Sequence, residues 1–372
     1  MKNVLLFLVA LVFAGTISLW VRYGGGAPYP DLSTSPILDA SSLEEVVRYS
    51  EPIGNVAVNR DGRLFFTVHP EARPKGNKLL EYVRGAAVPY PSGAAQAELF
   101  DTVLGVAIDR YNRLWTIDHG NHGLRRVRIV AIDQDTNVVI REQILDPEIA
   151  PAGSFLQDLQ VSADGNTIVI ADASFWRKSP AIIIYDVETG RARRVLESHA
   201  SVSAEDYVIR NNDREMKFLG GIVALRGGID GIALGPEWLY FGAISGSGLY
   251  RVRLRDLRDA SLPPGQLANR VERVGDKPLS DGMSIDIEGN VYITAIEHNA
   301  VFIGRPGQDP ETLIRSGRIR WPDALSFGPD GHLYLADSAL ADLILQSREH
   351  IDAQAPYRIF RFRPGVEGIP GQ

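Results

Sequence analysis

Three aspartates stand at the head of similar segments, and their spacing is the first sign of chemistry. Asp230 opens DGIALGPEWLYFGAIS, Asp281 opens DGMSIDIEGNVYITAI, and Asp323 opens DALSFGPDGHLYLADS. Three related segments lack the leading aspartate. They are GNVAVNRDGRLFFTVH from Gly54, LGVAIDRYNRLWTIDH from Leu104 and QDLQVSADGNTIVIAD from Gln157. Carboxylates held at equivalent positions of a repeat meet wherever the repeat closes on itself. Once clustered, they raise one another's pKa, hold a cation or serve as acid and base. Each aspartate on its own could instead cap backbone N–H groups at the start of a strand.

What must position them is a repeated unit of two short strands joined by a tight turn. The six copies start 50, 53, 73, 51 and 42 residues apart. Four-stranded propeller blades run about 40–50 residues, so the six copies predict a six-bladed β-propeller. Alternating Val, Ile, Tyr and Phe in the remainder of each interval supplies the outer strands. The last copy is short and offers only Tyr357–Phe362 beyond its first two strands, while Glu44–Tyr49 precedes the first copy as an orphan. The expectation is an all-β domain over residues 41–372, with four strands per blade, the last blade completed by the N-terminal strand.

In such a blade the start of the first strand and the end of the second lie at the same channel mouth. That mouth should gather Gln157, Asp158, Asp230, Asp281 and Asp323 from the starts, and Asp118 and His119 from the ends, with His122 and His298 just beyond. Asp281 and Asp230 are the candidate catalytic pair, His119 and His298 the candidate proton carriers, and Asp118, Gln157, Asp158 and Asp323 the candidate ligand-binding groups. The turns Asp61-Gly62, Asp164-Gly165 and Asp330-Gly331 fall at the opposite mouth, as hairpin chemistry. The long interval places about twenty extra residues within Ser198–Gly228, at the acidic mouth, where they read as a lid.

Lys2 precedes an uncharged run, Val4–Val21, long enough for a membrane span and long for a signal-peptide core. Residues 1–23 read as a signal peptide or membrane anchor and residues 24–40, rich in Gly, Pro and Ser, as a linker. The protein is expected in the periplasm or at the cell surface, or secreted if the segment is cleaved, meeting membrane only through this segment. The formal charge of −7, with 39 basic against 46 acidic residues and no basic run, argues against a nucleic-acid partner. The absence of cysteine removes disulfides, thiolate metal sites and a cysteine nucleophile. No G-x-S-x-G, H-E-x-x-H, P-loop or dinucleotide fingerprint is present. A monomer with a small-molecule ligand is the expectation.

The stretches TVLGVAIDRYNRLWTIDHG, GIDGIALGPEWLYFGAISGSGLYRV, LSDGMSIDIEGNVYITAIEHNAV and RWPDALSFGPDGHLYLADSAL resemble the major royal jelly protein and yellow family, in order and spacing over most of Glu51–Phe362. The resemblance implies a six-bladed, exported propeller, with dopachrome-type tautomerisation or amine binding in the central channel. More distantly, Asp281-Gly282-Met283-Ser284-Ile285-Asp286 is similar to a stretch of the gluconolactonase and regucalcin propellers. That likeness implies lactone hydrolysis and one divalent cation, calcium first, with Asp281 as a ligand, Asp230 and Gln157 at the positions of two others, and the first-blade glutamate missing. A non-catalytic binding protein for a cationic or polyhydroxylated small ligand is the alternative.

Overall fold

The computed structural model describes residues 2–372. Six four-stranded antiparallel sheets are arranged as blades. Blade 1 comprises Ile53–Val58, Leu64–Val68, Leu79–Val83 and Ala86–Pro89. Blade 2 begins at Val103, blade 3 at Leu156, blade 4 at Ile229, blade 5 at Met283 and blade 6 at Pro322. The first three strands of blade 6 are Pro322–Phe327, Leu333–Asp337 and Tyr357–Phe362, and its outer strand is Glu44–Tyr49. Tyr49 lies opposite Tyr357 and Glu44 opposite Arg361. The expected ring closure is therefore present.

The inner strands are buried along their whole length, because each is covered by neighbouring blades on both faces. Blade-to-blade packing of Val, Ile, Leu and Phe makes the core. Leu156, Leu159, Val161, Ile168 and Ile170 of blade 3, for example, meet Trp115, Ile117 and Ile129 of blade 2.

Three features extend the sequence reading. The N-terminal helix, Lys2–Tyr23, carries an apolar stretch from Leu6 to Tyr23 of which none is buried against the domain. The segment expected to be a linker is bound instead. Ala27–Pro28 pairs with Tyr207–Val208, and the N–H groups of Ile37 and Leu38 donate to the carbonyls of Thr312 and Leu313 on blade 5. The chain end closes the mouth at the Asp-Gly turns. Ile108 N–H donates to Gly371 O, Phe327 N–H to Gln372 O, and Gln372 Nε2 to Val161 O. These three partners end the inner strands of blades 2, 6 and 3. At the same mouth Gly62, Gly165 and Gly331 adopt positive φ, as their hairpin turns require.

Candidate functional site

Five of the six inner strand pairs break register at one shared place. The shifts fall between Ile53 and Val56, Val103 and Val106, Leu156 and Leu159, Ile229 and Ile232, and Pro322 and Leu325. A bulge places two residues opposite one and re-aims their side chains. The residues inside these bulges are Gly54-Asn55, Leu104-Gly105, Gln157-Asp158, Asp230-Gly231 and Asp323-Ala324. Blade 5 supplies Asp281-Gly282 just ahead of its first strand. The glycines let adjacent inner strands touch: a Cβ on Gly231 would stand 2.3 Å from Asp281 O, and one on Gly282 would stand 2.3 Å from Asp323 O. Repeated bulges and close-packed glycines thus turn polar side chains of every blade but the second toward the axis, where blade 2 supplies Leu104.

The ring so formed joins the three residues expected to share a ligand. Gln157 Nε2 donates to Asp230 Oδ2 at 2.7 Å, and the Asp230 and Asp281 carboxyls are hydrogen-bonded to each other. Trp321 Nε1 donates to Asp281 Oδ2 at 2.6 Å. Asp230 is 3% exposed and Asp281 7%. Burial pushes the Asp230 carboxyl well above the ordinary carboxylate range, and the charges of Asp281, Asp158 and Asp323 act in the same direction. Burial raises Asp281 too, but hydrogen bonds from Asp230 and Trp321 favour its charged form. Both carboxyls are thus raised, and Asp230 is the one held further toward its protonated form. Asp158, whose carboxyl accepts from Leu159 N–H at 2.9 Å and faces the Asn55 amide, is pushed by burial up to about 7. Asp323 is raised well above its ordinary value by burial and by Asp281. Together with Asn55, these aspartates line the top of the channel.

Above the ring opens a cavity of about 130 Å³ with Gln157, Asp230 and Asp281 at its floor. Its walls are Phe155, Phe175, Trp176, Phe218 and Trp321, with Leu340, Ile344 and Leu345 from the loop of blade 6. The Ser198–Gly228 insertion supplies Phe218, Leu219, Val223, Leu225 and Gly227. It crosses to the far blades, where Asn211 Nδ2 donates to Ile296 O and Arg320 O, and Arg214 Nη1 donates to Ala341 O. The insertion thus overhangs the acidic mouth, as expected. The surface it turns inward is its apolar hairpin, Lys217–Phe218 paired with Val223–Ala224, while its charged residues face elsewhere.

One wall is polar, and its Glu71 was not foreseen as part of the site. His69, Glu71 and His122 line it, with His122 Nε2 3.1 Å from Glu71 Oε1. Burial raises Glu71, but the hydrogen bond and charge of His122 outweigh it and hold the carboxyl below its ordinary range. His69 accepts the Glu71 N–H at Nδ1, which leaves Nε2 3.8 Å from Asp323 Oδ2. Burial pushes His69 down to about 4, so its ring is neutral at neutral pH.

Three other expected residues lie apart from the pair. Asp118 turns into its own blade, where it accepts the N–H groups of Asp101, Thr102 and Gly120 and the Thr102 hydroxyl. Asp172 and Asp337 do the same in blades 3 and 6, so this aspartate ties down the segment leading into each of these blades. His119 is screened by Phe155, 4.7 Å away between ring centres, and accepts His122 N–H at Nδ1. Burial pushes it down to about 3. His298 lines a second, polar cavity of about 570 Å³ with Arg210, Glu297 and Arg315, and faces Asp31 at 3.4 Å. The turn after blade 5's second strand, with Asn299 at φ 53°, carries His298 away from the axis.

The donor set does not fit a calcium cage. Calcium takes six to eight oxygens, but here Asp281 and Asp230 are engaged with each other, with the Trp321 indole and with an amide N–H of Gln157. The first-blade position is held by Gly54-Asn55. Among the described residues no group of three or more His, Cys, Asp or Glu is arranged around a common metal position.

The family model for the major royal jelly proteins matches residues 101–312, more than half of the chain. No curated sequence matches. Among solved structures, a luciferin-regenerating enzyme aligns over 88% of this chain and 97% of its own, at 12% identity and a TM-score of 0.57. A calcium-binding regucalcin from Agrobacterium tumefaciens aligns over 91% and 98%, at 16% identity and 0.55. A gluconolactonase from Xanthomonas campestris aligns over 86% and 88%, at 13% identity and 0.52. At these identities the likeness is one of fold.

Proposed function

Because this chain belongs to the major royal jelly protein family, we propose that it is an exported propeller whose acidic mouth takes a small molecule with an apolar or aromatic body and a cationic or hydroxylated head. The single observation behind this reading is the hydrogen-bonded Asp230–Asp281 pair at the floor of an aromatic-walled cavity, with Asp230 the carboxyl held further toward its acid form. The aromatic walls suit the body of such a ligand, and the charge on Asp281 suits its head. Gln157 and Trp321 hold the two carboxyls in place and would fix the orientation of the head.

The same pair is equipped for proton transfer. A carboxylate at Asp281 can take a proton from one atom of the ligand while the acid at Asp230 returns one to another. The ligand is then tautomerised with no net change in protons. His69 and the Glu71–His122 pair stand on the wall as a route for proton exchange with solvent. Lactone hydrolysis of the kind named for the gluconolactonase would need a positioned water, and the donor set at the floor does not provide a metal to activate one. Binding without turnover is the second reading. It is favoured by one fact: one oxygen of each carboxyl is already held within the protein, Asp230 Oδ2 by Gln157 and Asp281 Oδ2 by Trp321.

Calorimetric titration with phenethylamine, an aromatic amine of the proposed class, tests the site. Asp281→Asn should weaken binding at least tenfold, whereas Arg315→Ala, in the second cavity, should leave it unchanged. Equal binding by wild type and Asp281→Asn would contradict the proposal. Turnover of an aminochrome by wild type, lost in Asp230→Asn, would separate the enzyme from the binding protein.

A further inference from the structure

We propose that the mouth of this cavity rests on the lipid bilayer entered by the N-terminal helix, so that the site exchanges amphipathic ligands with lipid rather than with bulk water. The ligand class rests on the reading given above; the placement of the mouth stands on separate observations.

The first is the length and exposure of the helix. The apolar stretch Leu6–Tyr23 has 18 residues, none buried against the domain. At 1.5 Å per residue it is about 27 Å long, close to the hydrocarbon thickness of a membrane.

The second is the way the helix ends. It does not run out into a free tether. Arg22 Nη2 donates to Arg177 O at 2.8 Å and Tyr23 Oη donates to Trp176 O at 2.7 Å. The Tyr23 ring packs edge-on against Trp176, 5.7 Å between centres, and Trp176 packs on Phe175 at 4.8 Å. The helix end also lies beside Val223–Ala224. Phe175, Trp176 and Val223 are walls of the cavity. The membrane helix is thus pinned directly to the rim, and the chain beyond it is bound to Asp206–Val208 through Ala27 and Pro28. A helix fixed there keeps the rim within a few ångströms of the point where it meets the lipid surface.

The third is the chemistry of the rim. Trp176 is 46% exposed, and Leu219 and Leu345 are each 66% exposed, although all three line the cavity. Two blades and the insertion therefore present large apolar side chains to the outside around one opening. Tyr23 and Trp176 with Arg22 and Lys178 form the aromatic and basic belt expected where protein meets headgroups. Lys178 Nζ lies 4.3 Å from the Phe175 ring centre and 5.3 Å from that of Tyr23.

The chain has no cysteine, so single labels are unique. Leu219→Cys, Leu345→Cys and, at the opposite mouth, the equally exposed Ile287→Cys would each carry a nitroxide in the full-length protein, reconstituted in phosphatidylcholine vesicles. Labels at 219 and 345 should be relaxed more strongly by oxygen than by an aqueous nickel chelate, and the label at 287 the reverse. Chelate-dominated relaxation at 219 and 345, like that at 287, would overturn the placement, as would isolation of the mature protein without the helix. Decylamine delivered in the vesicles should displace phenethylamine from the site. Failure to displace it, with both rim labels in lipid, would overturn the exchange route. Loss of the rim signal with phenethylamine binding intact would refute this inference alone; rim labels in lipid with no amine binding would refute the site reading instead.

Discussion

The two mouths of the channel are built from the same six strand pairs and have opposite characters. At one mouth, bulges turn Gln157, Asp158, Asp230 and Asp323 inward beside Asp281, and loops of Phe155, Phe175, Trp176 and Phe218 raise a wall around them. At the other, Asp-Gly hairpins end the strands and the segment Gly368–Gln372 fills the opening by hydrogen-bonding to four inner strands. The comparison teaches where this fold stores stability and where it stores function. Polar backbone groups at the closed mouth are paired with the chain's own tail. At the open mouth, clustered buried carboxyls are kept, an arrangement that disfavours their charged forms and marks a candidate site.

Removing Gly368–Gln372 should therefore produce the largest change in stability. It strips partners from Ile108 N–H, Phe327 N–H and Val161 O, each hydrogen bond being worth about 1 kcal/mol. A loss of roughly 2–4 kcal/mol in chemical denaturation is expected, with phenethylamine affinity at the other mouth within twofold of wild type. Binding that falls along with stability would show that the two mouths are not independent.

The next effect depends on pH. The folded-state pKa of Asp158 is about 7, above the ordinary value of 3.8. A group raised in this way contributes stability that is full below its unfolded pKa and is lost as pH rises through the folded pKa. Asp158→Asn cannot ionise and escapes that loss. The melting temperature of Asp158→Asn relative to wild type should thus rise by a few degrees from pH 5 to pH 8. Working with the difference is necessary because His69 and His119, pushed down to about 4 and about 3, act the other way. Their neutral folded forms make stability grow as pH rises toward 6.5. A pH-independent difference between variant and wild type would mean that Asp158 is charged in the folded protein.

The smallest expected effect is that of a chelator. With the floor oxygens engaged by protein donors, EDTA should move the melting temperature by less than about 1 °C and leave phenethylamine binding unchanged. A drop restored by calcium would show that the pair opens to admit a cation.

Much of this was legible in the sequence, and for a definite reason. Six copies of a strand pair, a deficit in the last copy and an orphan at the start give blade number, strand order and closure. Register within a repeat brought Gln157, Asp230 and Asp281 to one place, because equivalent positions of a closed ring share a radius. The bulges that aim these side chains were not legible, since a bulge leaves the composition of a strand unchanged. His119 stands at a strand end and His298 just beyond one, but register stops where the strand stops. Beyond it Phe155 covers one and a left-handed Asn299 turns the other outward. Asp118 occupies a strand-end position shared with Asp172 and Asp337, and the recurrence of that aspartate reflects a cap rather than a site. The aromatic walls come from loops without periodicity. The one signal available was Phe175-Trp176, placed directly after a strand end at the acidic mouth. The tail that closes the other mouth carries no pattern at all.

That Asp230 carries a proton beside Asp281 is the central claim, and infrared spectroscopy reads it directly. At neutral pH the wild-type protein should show absorption from protonated carboxyl groups. Part of it should disappear in Asp230→Asn, and the same part should shift when phenethylamine binds. Identical carboxyl absorption in wild type and Asp230→Asn would mean that Asp230 is ionised, and the acid pair would then not exist.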